Sequence, residues 1–237
     1  MAIPVSLSRQ RLGVWYLQIG STARPFHLCG PELASPSAGQ PILILGNGPT
    51  RSIPEDLGRH AWHIRFNNCP SYRPRSGDRV DELVLVNCGG QPEEWLSTGR
   101  LGNPEALAAA VRVTLPIHPG IAAYYQPVLS PRELREAAAQ DHTWPMVRRL
   151  RKAGHATAVL APRSYRDAVH ALGQKVFRRG MPVPSSGFLL IHHVAQAHPR
   201  SPIYLDGFGF AGWEGHPWQA ERAYCERLAA EGRLTFV

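Results

Sequence analysis

The chain has 237 residues, 43% of them hydrophobic, with a formal net charge of +8. That content suits one well-buried soluble domain. The four cysteines, Cys29, Cys69, Cys88 and Cys225, show no CxxC or other ligand spacing, which argues against a zinc site or a disulfide framework and fits reduced thiols in a cytoplasmic setting. No window approaches the roughly 20 apolar residues of a spanning helix, so at most peripheral membrane contact is expected.

The positive charge is nearly all arginine, since Lys152 and Lys175 are the only lysines, and it is spread along the chain. Guanidinium groups bind phosphate and carboxylate as a bidentate fork, which favours nucleotide-sugars, polyanions or acidic membrane surfaces as partners. A GC-rich source would give the same bias with no functional meaning, and the two readings stand level.

Residues 1–40 mix polarity with scattered Gly, Pro and Ser, and read as a weakly structured lead-in to a domain over 41–237. Pro41 to Leu45 is a short apolar run ended by Gly46-Asn47-Gly48-Pro49, the pattern of a buried parallel strand entering a turn. Residues 53–60 suit a short helix. Strands are expected over Ala61 to Phe66, Val80 to Asn87, Val111 to Leu115, Ala156 to Leu160, Pro202 to Asp206 and Arg233 to Val237. Between them fall helices over Pro131 to Ala153, broken near Pro145, and over Tyr165 to Arg179, Ser186 to Ala197 and Trp218 to Ala230. This alternation predicts an α/β domain with a largely parallel sheet covered by helices. The turns that follow its strands are then where a ligand belongs.

Four such turns carry suitable chemistry. Gly46-Asn47-Gly48 lets backbone approach a ligand and offers an amide donor, but it matches neither the dinucleotide fingerprint nor the P-loop. The plain alternative is a turn in which Asn47 tolerates a left-handed backbone. Arg65, Asn67 and Asn68 gather a cation and two amides at the end of the next strand, or form an ordinary capped turn before Pro70. Ser185-Ser186-Gly187 before an apolar helix places hydroxyls and free N–H groups at the positive end of a helix dipole, although an N-cap without a ligand is the commoner meaning. Tyr204 to Asp206 runs into Gly207-Phe208-Gly209. His216 follows in a loop on the ligand side, where an imidazole can act as a general base, and Glu221 falls in the first turn of the last helix. His192, His193, His118 and His63 carry weaker signals.

Taken in order, these segments resemble the sialyltransferase family across about a third of the chain. Ile42 through Pro70 is similar to the family's large motif. Pro184 through Gly209 is similar to the small motif, with Pro-Ser-Ser-Gly, an apolar helix and a strand ending in Gly-Phe-Gly. His216 to Glu221 matches the very small motif, His-x4-Glu. The resemblance implies a variant nucleotide-binding α/β domain, Rossmann-like and related to the GT-A variant of that family. It also implies an inverting glycosyltransferase that moves a CMP-activated acidic sugar, sialic acid or a keto-sugar acid such as Kdo, onto a glycan or glycolipid acceptor. Under it Asn47 and Asn67 would hold the CMP phosphate, with Gly46 and Gly48 also binding the donor. Ser185, Ser186 and Gly187 would line the cytidine and ribose, with Gly207 and Gly209 beside them. Arg65, Asn68 and Glu221 would support the site, and His216 would deprotonate the acceptor.

No Asp-x-Asp occurs, so no metal and no other cofactor is expected. The cysteine pair of animal members and their membrane anchor have no counterpart, which points to a bacterial, cytoplasmic relative. The family's His-Tyr pair has no match beyond Trp213-Glu214. Two other readings stay open: a non-catalytic CMP-binding relative, and a nucleic-acid-binding domain that only the charge supports, so no nucleic-acid partner is expected.

Overall fold

A computed structural model of the chain describes residues 33–49, 53–73 and 77–237, together with three short strands before them. Those strands, β1 (Val5–Leu7), β2 (Trp15–Ile19) and β3 (Thr22–Phe26), pair antiparallel in the order β1-β2-β3. They lie within the stretch expected as a weakly structured lead-in. β2 reads Trp-Tyr-Leu-Gln-Ile, residues that favour strands, but strands of three to five residues are too short to display a period. Residues 1–33 and 34–237 form separate compact units.

The second unit is built on a seven-stranded sheet in the order β10-β9-β4-β5-β6-β7-β8. Its strands are β4 (Ile42–Leu45), β5 (Trp62–Phe66), β6 (Glu82–Val84), β7 (Arg112–Leu115), β8 (Thr157–Val159), β9 (Ile203–Asp206) and β10 (Leu234–Phe236). Every pairing is parallel. The helices are α1 (Glu55–His60), α2 (Gly90–Thr98), α3 (Pro104–Ala109), a 3-10 turn (Pro119–Tyr124), α4 (Pro131–Ala139), α5 (Thr143–Lys152), α6 (Pro162–Ala171), α7 (Ser186–Ala197) and α8 (Trp218–Ala230).

Strand alternation sorts side chains to two faces. Ile42, Ile44, Ile64, Phe66 and Val84 pack with α6, α7 and α8 on one face. Leu43 and Leu45 meet α1, while Leu83, Leu85, Val113 and Leu115 meet α2, α3 and α5 on the other. Both faces are thus covered, which is why the strands read as continuous apolar runs. The expected α/β class with a parallel sheet is the observed one. Truncating a fully buried side chain such as Ile44 or Ile64 to alanine would cost about 2–5 kcal/mol.

Two helix expectations are corrected. The break in the stretch 131–153 falls at residues 140–142, and Pro145 is the third residue of α5, where a missing N–H leaves no intrahelical bond unmade. The helix expected over Tyr165 to Arg179 is α6, which starts at Pro162 and stops at Ala171, before Gly173 in a left-handed conformation. The helices α2 and α3 were not foreseen.

The chain passes from β4 outward through β5 to β8 on one side and reaches β9 and β10 on the other. The order therefore reverses between β4 and β9, and a crevice opens beside the loops leaving their carboxyl ends.

Candidate functional site

A cavity of about 510 Å³ sits at that crevice, lined by the loop after β4 (Gly46, Asn47, Gly48), Asn67 after β5, the start of α7 (Ser185, Ser186, Gly187), the loop after β9 (Gly207, Phe208, Gly209), His216 and Glu221. Eleven of the thirteen residues singled out in the sequence therefore share one cavity. The exceptions are Arg65 and Asn68.

Arg65 is fully buried beside the sheet, where its guanidinium donates to the carbonyls of Arg79 (2.9 Å) and Gly77 (3.1 Å) and stacks over the Tyr72 ring. Its place in the middle of β5 turns it toward the 77–79 segment, and it does not line the cavity. Asn68 is exposed and also lies off the cavity. Both depart from the expected supporting role: the turn at Asn67, with φ of 54°, rotates the next residue away. Asn67 itself is fixed, because its Oδ1 accepts from the Val86 N–H at 2.9 Å, leaving its amide N–H₂ as the donor end.

The glycines have a packing reason. Gly46 N–H donates to Asp206 O (2.8 Å) and Gly48 N–H to Gly207 O (2.9 Å), so the two loops meet backbone to backbone. A Cβ on Gly46 would lie 2.3 Å from Gly207 O, and one on Gly48 would lie 2.7 Å from it. Gly187 meets the Phe208 ring, with 2.9 Å available to a Cβ. The glycines bring three chain segments close enough to enclose one small molecule.

The start of α7 is locked from across the cavity. Ser185 caps the helix by accepting from Phe188 N–H (3.0 Å), and its hydroxyl and N–H donate to the two carboxylate oxygens of Glu221, each at 2.7 Å. Glu221 is buried, and that burial raises its pKa against the lowering effect of the Ser185 bonds. It stands in the first turn of α8, as the sequence suggests, and from there it clamps the start of a neighbouring helix. Ser185 thus spends its hydroxyl internally, while Ser186 and Gly187, the first two residues of α7, line the cavity at the end of the helix whose first N–H groups have no intrahelical partner.

His216 is oriented by its own neighbours. Its Nδ1 lies 2.7 Å from the carbonyl of Val183. A carbonyl only accepts, so Nδ1 is the donor of this bond and Nε2 is the nitrogen not used by it. Trp213 and Trp218 hold the ring edge-on, with centroids at 4.9 Å and 5.0 Å. Val183 N–H bonds to Gly215 O (2.9 Å), tying this loop to the segment before α7. The imidazole is thereby held in one orientation at the cavity wall.

A second cavity of about 790 Å³ adjoins the first and shares Val86, Gln91, Ser186 and His216 with it. Among the described residues no group of three or more His, Cys, Asp or Glu side chains is placed to hold a metal ion, and no helix is long and apolar enough to cross a membrane.

No family model matches the chain. It is 28% identical over 205 residues to the urease operon 23 kDa accessory protein of Rhizobium meliloti (strain 1021), covering 83% of this chain and 92% of that protein. Two crystal structures of a mammalian sialyltransferase, one in complex with Gal-beta-1-3GalNAc-ortho-nitrophenol, are 14% and 13% identical, cover 84% of this chain and 68% and 69% of theirs, and give TM-scores of 0.43 and 0.44. At those values the likeness carries nothing about activity.

Gln91, Phe208, Trp213 and Trp218 were not singled out as site residues. Trp213 and Trp218 flank His216 in the sequence, and two tryptophans around a loop histidine are a usable signal. Gln91 opens α2 with no motif around it.

Proposed function

We propose that this protein is an inverting glycosyltransferase that takes a CMP-activated acidic sugar as donor and uses His216 as general base, without a metal. The observation that carries the reading is the place of His216: its Nδ1 is held by the Val183 carbonyl, and its ring stands at the junction of a cradle of amide and backbone donors with a second cavity.

In the proposed reaction the acceptor hydroxyl loses its proton to His216 Nε2 as its oxygen bonds to the anomeric carbon. The bond to the CMP phosphate breaks on the opposite face and its electron pair stays on the phosphate. Ser186 N–H, Gly187 N–H and the Asn67 amide are the donors suited to that developing charge. No covalent nucleophile is needed.

The test is transfer from CMP-sugars with a chelator present, in wild type and His216→Ala. A loss of about 10²-fold or more in kcat is expected of a missing general base, and full activity in the variant refutes the assignment.

The relative named as an accessory protein supports a second reading, in which the same cradle binds CMP without transfer. Stabilisation by CMP with no hydrolysis or transfer of any CMP-sugar favours it.

A further inference from the structure

The second cavity has walls unlike the first. Its outer wall is α4, a nine-residue helix with no buried residue, although Leu134, Ala137 and Ala138 form an apolar stripe at i, i+3 and i+4 that lines the cavity. Leu134 is 44% exposed. A stripe of that pattern ordinarily faces a core, and here it faces Ile117, Ile121 and Tyr125 across the cavity. The helix is held in place independently of any filling: Ser130 and Glu133 form a capping box, and Arg179 bridges Glu133 (2.9 Å) and Glu136 (3.0 Å).

The lining surface of this cavity is mostly apolar, with Asp141 its one acidic side chain among the described residues. Asp141 is anchored by the Thr143 N–H (3.0 Å) and hydroxyl (2.5 Å), and no Lys or Arg is among the described residues that line the cavity. An acidic occupant would meet a carboxylate with no cation to balance it. An apolar one would cover the stripe.

We propose that this cavity holds the acceptor, and that the acceptor is an uncharged sugar hydroxyl attached to an alkyl chain, with the chain against α4 and the hydroxyl at His216. The proposal rests on the transferase reading in taking His216 as the base.

The experiment is calorimetric titration of the full chain with methyl glucoside and n-octyl glucoside, the latter below its micelle concentration, with and without CMP. The octyl compound is expected to bind at least tenfold more tightly. Leu134→Glu removes that preference and Leu134→Met keeps it. Affinities within twofold of each other, an unchanged preference in Leu134→Glu, or its loss in Leu134→Met as well overturns the proposal. If CMP fails to bind while the octyl preference and its Leu134 dependence persist, the donor reading falls and the cavity assignment stands.

Discussion

Replacing Glu221 with alanine tests how the site is held together. The carboxylate is 1% exposed and accepts two bonds of 2.7 Å from Ser185. Hydrogen bonds to a charged group are worth about 1.5–3 kcal/mol each, and here the two neutral donors left behind on Ser185 stay buried. Glu221→Ala is therefore expected to lose about 3–5 kcal/mol in urea denaturation. Ser185→Ala loses a cap and one of the two bonds, for about 1–2 kcal/mol. Because both changes remove the same contact, the double variant should lose clearly less than the sum. Additivity within about 0.5 kcal/mol, the behaviour of independent sites, would refute the clamp. The pH dependence supplies a sign. Burial raises the folded pKa of Glu221, so the folded state binds the proton more readily than the unfolded one. Its contribution is fully present below the ordinary carboxylate value of 4.5 and is lost as pH rises through the raised value. Glu221→Gln should flatten that part of the stability profile.

Other outcomes follow from the same geometry. Gly46→Ala places a Cβ 2.3 Å from Gly207 O, so the β4 and β9 loops must separate, and both melting temperature and CMP affinity should fall, measured by thermal shift. His63 is 2% exposed, and burial, aided by Arg79, lowers its pKa to about 4. The unfolded chain then binds a proton that the folded chain does not, so stability is lost as pH falls from about 6.5 toward 4. The difference is about 3 kcal/mol at pH 4, absent in His63→Leu, by urea titration across pH. Trp213→Ala removes one of the two rings against His216 and should lower kcat more than it raises the CMP dissociation constant, read by initial rates and titration.

Much of the first cavity was legible because parallel strands advertise themselves as apolar runs and their ends as glycine turns. Asn47, Asn67, Ser185 and His216 each stood just after or just before an element whose type was plain. Convergence of those turns followed from the reversal of strand order between β4 and β9. What stayed hidden depends on side-chain direction or on segments without a period. Arg65 looked like a phosphate ligand because it precedes Asn67, yet its position in β5 sends the guanidinium to the 77–79 carbonyls. Glu221 showed a spacing to His216 but no sign that its partner was Ser185. The second cavity is assembled largely from α2, the 3-10 turn and α4, none of which carries a motif, and only the loop before α7 and His216 had drawn attention in the sequence. The α4 stripe is three residues in a run of alanines, too slight to mark a binding wall before its neighbours were in place.

The central claim is that one pyrimidine monophosphate fits among the β4, β5 and β9 loops and the start of α7. It is tested most directly by the melting temperature of the chain with CMP against UMP, GMP and AMP. At a concentration about 100 times its dissociation constant, CMP should add about 2.7 kcal/mol and raise the melting temperature by roughly 5–10 °C, with the other three well below it. Equal shifts from all four nucleotides, or none from CMP, would contradict the account.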